Sequence, residues 1–84
     1  MVVAVAQVTL PDEWMVATGG QRTLEIVAEN YRDLRATLVE RWPDLERAID
    51  RYAVAIDGQI YQDAFMEALA PGSEVFFMPR IEGG

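Results

Sequence analysis

Apolar side chains recur at helical spacing in the middle of the chain, at Tyr31, Leu34, Leu38 and Trp42. This spacing predicts one helix with a single apolar face, which the other elements of a small domain must cover. Asn30 stands directly before that face and is a residue type that favours a helix N-cap. Pro43 disfavours helical continuation through Trp42, although it suits the first turn of a new helix. The pattern therefore predicts one main helix, followed by a short helical piece over residues 44–51.

Five segments on either side of the predicted main helix have the composition or the alternation of strands: residues 2–10, 23–29, 52–56, 59–61 and 74–78. The first is rich in β-branched residues, and residues 2–6 within it are apolar on both faces, which suits a central strand. Gly19-Gly20 predicts a turn that makes the second strand antiparallel to the first. Asp57-Gly58 is a strong signal for a tight hairpin between the third and fourth strands. Asp63 is expected to cap a single helical turn over residues 64–69.

The order of these elements predicts an α+β fold, in which one main helix covers one face of a mixed sheet. If the first and last strands are both central, the helix fills the groove between them, and the arrangement is a β-grasp. A chain of 84 residues allows one domain. We therefore predict a single β-grasp domain over residues 1–84, with residues 80–84 as a mobile C-terminal tail.

The composition argues against several classes of function. The chain has no cysteine and no histidine, so it lacks thiolate ligands, a cysteine nucleophile and the commonest general base. We therefore expect no metal site and no enzymatic activity of the chain alone. A net charge of −7 repels phosphate backbones, which disfavours nucleic-acid binding. The longest apolar run covers only residues 1–6, against the roughly 20 residues of a membrane span, so we expect a cytoplasmic protein.

The C-terminal segment resembles the end of the MoaD/ThiS sulfur-carrier proteins; it reads Glu74-Val75-Phe76-Phe77-Met78-Pro79-Arg80-Ile81-Glu82-Gly83-Gly84. Those proteins end with an acidic residue, several apolar strand residues, a proline and a terminal Gly-Gly. The resemblance continues upstream in residues 6–8, 42–45, 53–58 and 71–75. It covers nearly the whole chain in order and length, and its specific part is the C-terminal third. The family has the ubiquitin-like β-grasp fold, which agrees with the fold predicted from the pattern.

The resemblance implies a sulfur carrier that is not itself an enzyme. An E1-like adenylating enzyme of the MoeB/ThiF type would use ATP to adenylate the carboxylate of Gly84, so the chain itself binds no cofactor. A sulfur donor would then convert the acyl-adenylate to a thiocarboxylate, and a sulfur-accepting synthase subunit of the MoaE type would take up the sulfur. Gly83 and Gly84 lack Cβ atoms, which lets their backbone enter a narrow tunnel.

The resemblance also implies a docking surface on the sheet, beside the tail. It places Val5, Ile60 and Met78 in an apolar patch, and Pro79, Arg80, Ile81 and Glu82 in the segment that enters a partner. Ordinary strand packing is the alternative for Val5, Ile60 and Met78. Arg80 stands where many MoaD proteins have a second proline; it either meets an acidic group of a partner or stays in solvent, which we favour. Asp57, where the family often has asparagine, is explained by its turn.

Three functions stay open at the level of the sequence. The first is a sulfur carrier, with molybdopterin as the favoured pathway, cysteine supply as the second and thiamine as the third. The second is a ubiquitin-like modifier that is conjugated to other proteins through Gly84. The third is an interaction module in which the terminal glycines have no chemical role.

Overall fold

The computed structural model describes residues 4–80, which form a five-stranded mixed sheet with helices on one face. The strands are β1 (Val5–Thr9), β2 (Thr23–Val27), β3 (Tyr52–Ile56), β4 (Gln59–Tyr61) and β5 (Glu74–Pro79). The helices are α1 (Met15–Thr18), α2 (Tyr31–Arg41) and α3 (Leu45–Asp50). The strand order in the sheet is β2-β1-β5-β3-β4. The predicted mixed sheet with one main helix is confirmed.

The first and last strands lie side by side in the middle of the sheet. β1 pairs in parallel with β5, and the other neighbouring strands pair antiparallel. Parallel neighbours need a long crossover connection, and here the crossover includes the main helix α2. The arrangement is that of the β-grasp fold, as the order of elements in the sequence predicts.

The main helix forms where the apolar spacing predicts it. The Asn30 side chain accepts a hydrogen bond from the backbone N–H of Asp33, at 2.8 Å, which satisfies one of the free donors at the helix start. The helix ends at Arg41, so Trp42 is the C-cap residue rather than part of the last turn. Tyr31, Leu34 and Leu38 are buried against the sheet, whereas Trp42 is half-buried at the edge of the core.

The connection between β1 and β2 contains more structure than the turn predicted at Gly19-Gly20. Residues Asp12–Trp14 form a 3₁₀ turn that leads into α1. Trp14 is 3% exposed. Its ring lies edge-on to the ring of Tyr52 and tilted against that of Phe77. The distances between ring centroids are 5.0 Å and 4.9 Å, respectively. The turn therefore closes one end of the core.

The predicted helical turn over residues 64–69 is wrong. Asp63 does accept a hydrogen bond from the N–H of Phe65, at 3.1 Å, but no helix follows. The backbone instead crosses to the start of α2: Glu67 accepts from the N–H of Tyr31, and Leu69 donates to the carbonyl of Glu29, both at 2.9 Å. The bond to Glu29 takes the N–H of Leu69, which a helical turn would donate to the carbonyl of Phe65.

Among the helices of residues 4–80, none combines the length and the apolar character that crossing a bilayer requires.

Candidate functional site

The sheet has one covered face and one open face, because side chains alternate along each strand. In β5, Val75 and Phe77 are buried in the core, and Phe76 between them is 43% exposed. Register extends this alternation across the sheet, since residues opposite each other share a face. Thr9, Phe76, Ala55 and Ile60 thus form one row on the open face, on four neighbouring strands.

An apolar patch lies on the half of the open face formed by β3, β4 and β5. We call it the open-face patch; it comprises Ala53, Ala55, Ile60, Phe76 and Met78. Ile60 is 58% exposed and Met78 is half-buried. Ala53 and Ala55 are buried although they lie outside the core cluster. The patch thus combines small, buried alanines with longer and more exposed apolar side chains, a composition suited to docking another protein.

The structure separates one predicted docking residue from the other two. Ile60 and Met78 belong to the open-face patch, whereas Val5 lies at the opposite end of β1, paired with the exposed Val27. A polar row that contains Glu25, Gln7 and Glu74 lies between them. Val5 and Val27 therefore lie on the same open face as the open-face patch, but a row with two acidic side chains separates them from it.

The Asp57-Gly58 hairpin holds one edge of the patch in place. Both residues have positive φ, 50° and 85°, as a two-residue hairpin of the type I′ class requires. The Asp57 carboxylate also accepts hydrogen bonds from the Ser73 hydroxyl and from the N–H of Glu74, each at 2.9 Å. Ser73 is 3% exposed. The turn predicted from sequence is confirmed, and its aspartate also ties the β3–β4 hairpin to the start of β5.

The C-terminal segment leaves the sheet at a defined point. Pro79 is the last residue of β5 and lies opposite Tyr52. The guanidinium of Arg80 donates a hydrogen bond to the backbone carbonyl of Gln62, at 2.7 Å. Neither sequence-based alternative for Arg80 anticipates this bond within the chain, although the residue remains exposed. Ile81, Glu82, Gly83 and Gly84 lie outside the described residues.

A small cavity of about 80 Å³ lies beside Arg80, between the helices and the segment after β4. Its charged and titratable lining consists of Tyr31, Arg35, Asp50, Tyr52, Asp63 and Arg80. Burial raises the pKa of Tyr31 to about 12, with the neighbouring Arg35 opposing the shift and Asp50 adding to it. Arg35 pairs with Asp50 at 3.0 Å. The phenol therefore stays protonated at neutral pH.

Residues 4–80 hold no group of three or more acidic, histidine or cysteine side chains close enough to bind a metal ion.

Phe76 is a member of the patch that the sequence reasoning missed. Strict alternation in β5 would have found it, because placing Val75 and Phe77 in the core leaves Phe76 on the other face.

These features define a small ubiquitin-like β-grasp domain with an apolar patch on the open face of its sheet. No protein-family model matches the chain, and no curated protein matches it at a significant level. Several solved structures do match the chain. Small archaeal modifier protein 1 from Methanosarcina acetivorans superposes with a TM-score of 0.80 at 19% identity, over 100% of both chains.

Subunits of molybdopterin-converting factors are also among the structural neighbours. A putative molybdopterin converting factor subunit 1 from Pyrococcus furiosus has a TM-score of 0.76 at 17% identity, with 93% of this chain and 99% of that chain covered. A chain from the complex of subunits 1 and 2 of the molybdopterin-converting factor of Helicobacter pylori has a TM-score of 0.68 at 20% identity. The match covers 95% of this chain and 99% of that chain. The ubiquitin-like fold that the sequence resemblance implies is thus confirmed, with proteins of the expected type as neighbours.

Proposed function

We propose that this chain is a ubiquitin-like sulfur carrier, which docks through the open-face patch and reacts through the carboxylate of Gly84. The observation that carries the proposal is the course of β5, which contributes Phe76 and Met78 to the patch and then leads directly into the Pro79–Gly84 sequence. Residues 80–84 span at most about 17 Å when extended. A partner docked on the patch is therefore within reach of the carboxylate.

The chemistry requires activation because a carboxylate is a poor electrophile. In the proposed reaction, the Gly84 carboxylate attacks ATP in an E1-like enzyme to give the acyl-adenylate and pyrophosphate. A sulfur donor then displaces AMP and leaves a thiocarboxylate. On transfer of the sulfur to an acceptor, water restores the carboxylate. The chain contributes the acyl group and the docking surface, and the enzymes contribute the catalytic groups.

Molybdopterin is the pathway that we favour. The neighbour from Helicobacter pylori is a complex of subunits 1 and 2 of a molybdopterin-converting factor, and this supports a MoaE-type synthase subunit as the acceptor for the present chain. Cysteine and thiamine synthesis remain the other pathways to be tested. The E1-like partner and the cytoplasmic location stay predictions from the sequence.

Intact-protein mass spectrometry tests the carrier function. The chain is incubated with ATP, an activating enzyme of the MoeB/ThiF type and a sulfur donor. We expect a mass shift that corresponds to exchange of one carboxyl oxygen for sulfur, and no shift in a variant that lacks Gly84. That variant should unfold at the same urea concentration as the parent chain. An unchanged mass with every cognate activating enzyme would contradict the carrier proposal.

The second candidate is a protein modifier, which the similarity to small archaeal modifier protein 1 supports. The same acyl-adenylate would then pass its acyl group to a lysine amine of another protein, and an isopeptide bond would form. Trypsin cleaves after Arg80, so a conjugate would leave residues 81–84 attached to the acceptor lysine. Peptides with this remnant from a cell lysate would establish conjugation; a thiocarboxylate without them would favour the carrier alone.

A further inference from the structure

The outer edge of β2 has unpaired backbone groups in a regular array. Leu10 donates to the carbonyl of Arg22, and Ala28 donates to the carbonyl of Ala4. In an antiparallel ladder these hydrogen-bonded pairs recur every two residues, so Leu24 and Ile26 also bond towards β1. The N–H and C=O groups of Thr23, Glu25 and Val27 therefore point away from the sheet. No other strand within residues 4–80 covers this edge.

A groove runs along the same edge, and charged side chains line part of it. It has a volume of about 340 Å³, and its lining consists of Gln7, Gln21, Thr23, Leu24, Glu25 and Arg41. Glu25 lies on the open face of the sheet, and Arg41, at the end of α2, lies on the helix side. Neither side chain has a salt-bridge partner within residues 4–80. Val27, at one end of the edge, is 65% exposed.

The usual protections of an edge strand are largely missing here. β2 contains no proline and no lysine, and five residues are long enough to pair with a guest strand. The charge of Glu25 nonetheless selects among guests. If a second copy added its own β2 antiparallel and used all three free residues, Glu25 would face Glu25 of that copy on the same side of the sheet. Like charges directly opposite each other destabilise such a pair.

We propose that the outer edge of β2 is a strand-addition site for an extended segment of a different protein, with a basic residue opposite Glu25. In antiparallel register the segment places an apolar residue opposite Val27, the basic residue opposite Glu25 and a β-branched residue opposite Thr23. The residue opposite Leu24 lies on the helix side, near Arg41, and is acidic. Backbone hydrogen bonds hold the segment, and the two charges set its register. This site is separate from the open-face patch and does not depend on sulfur chemistry.

Amide hydrogen exchange tests the proposal with a synthetic peptide whose central sequence is Val-Ser-Lys-Asp-Thr. In the free protein, the amides of Leu24 and Ile26 should exchange slowly, and those of Thr23, Glu25 and Val27 quickly. The peptide should slow the exchange of these three. A control peptide with glutamate in place of the lysine should bind about fivefold more weakly, as expected for a reversed cross-strand charge. The Glu25→Lys variant should invert this preference.

N-methylated peptides test whether the backbone carries the interaction. A methyl group on the backbone nitrogen of the peptide's lysine removes an N–H donor that faces β2, so binding should be lost. The same group on the serine amide faces away from β2 and should be tolerated. Unchanged exchange of the three amides, or equal binding of the two methylated peptides, would overturn the proposal. So would protection that increases with protein concentration without peptide, because a second copy would then occupy the edge.

Discussion

Asp57 stabilises the protein in two ways that depend on different parts of the residue. Its backbone occupies the left-handed region, which aspartate and asparagine tolerate better than most residues. Its carboxylate accepts hydrogen bonds from Ser73 and from the backbone of Glu74, at 2.9 Å each. Because Ser73 is buried, loss of this acceptor leaves its O–H donor unpaired, although its oxygen still accepts from the N–H of Ala70.

We expect Asp57→Ala to lower the free energy of unfolding by about 1–3 kcal/mol, through the strained φ and the lost acceptor. Asp57→Asn keeps the turn preference and an oxygen that can accept from Glu74, so it should cost less than half as much. Urea denaturation of both variants measures the difference. Equal stability of the alanine and asparagine variants would contradict both contributions, because asparagine keeps the turn preference and an acceptor oxygen and alanine keeps neither.

Ile60 and Phe76 should matter for docking more than for folding, since both are substantially exposed on the open face. We expect Ile60→Ser and Phe76→Ser to weaken binding to an activating enzyme by at least about tenfold, as truncation of central interface residues does. Val16→Ser is the matched control, because Val16 is 97% exposed and lies on α1. Binding isotherms, with thermal unfolding of each variant alongside, separate docking from stability. Equal weakening by all three substitutions would exclude the open-face patch as the docking surface.

At the scale of elements, α2 depends on both its cap and its apolar face. Leu34 and Leu38 are fully buried in the core, and this burial supplies most of the stability of a helix of 11 residues. The N-cap adds a local contribution. Asn30 also lies beside Ala68, with which it forms a bridge, so the helix start is joined to the segment after β4.

Asn30→Ala should reduce the free energy of unfolding by about 1 kcal/mol, because the N–H of Asp33 loses its acceptor. Asn30→Asp retains an acceptor at the cap and should restore most of the loss. The urea midpoint reports both effects, with the slope of the transition expected to stay constant. Failure of aspartate to restore the midpoint would indicate that the amide acts through another contact.

At the scale of the whole molecule, stability should fall at alkaline pH because Tyr31 is buried. Its pKa is about 12 in the folded protein against 10.0 as the ordinary value. Above pH 10 the unfolded chain loses the phenolic proton while the folded protein keeps it. The contribution is therefore complete below about pH 10 and is lost as the pH rises towards 12, at a limiting slope of about 1.4 kcal/mol per pH unit.

Tyr31→Phe should flatten this part of the pH profile, because phenylalanine cannot ionise. Burial also raises the pKa of Tyr52 and of Tyr61, with hydrogen bonding to Glu13 and to Glu67 as the second cause. The variant should therefore keep a weaker alkaline decline in the same direction. Urea unfolding between pH 8 and about pH 11.5 covers the relevant range. An unaltered slope in the variant would assign the decline to groups other than Tyr31.

Sequence reasoning identified the fold and part of the candidate site. Local signals are strong where a residue type has a direct conformational role, as with Asn30 at the helix start and Asp57-Gly58 in the hairpin. The apolar periodicity of α2 and the alternation in β2 are equally local. The central position of the first and last strands entered only as a condition of the β-grasp fold, and the structure supplies their parallel pairing. The roles predicted for Gly83 and Gly84 depend on the family resemblance and on the proposed chemistry.

Other features required the three-dimensional arrangement of the chain. Residues 64–69 contain good helix formers, yet their backbone groups bond to residues 29–31, which are distant in sequence. The bond from Arg80 to the Gln62 carbonyl and the separation of Val5 from the patch depend on the same long-range packing. The sequence by itself therefore determined the five strands, the helices α2 and α3 and their order, because those signals act over a few residues. The tertiary structure alone decided which side chains share the open face and which backbone groups remain free at the edge of β2, because strand register joins residues far apart in the chain.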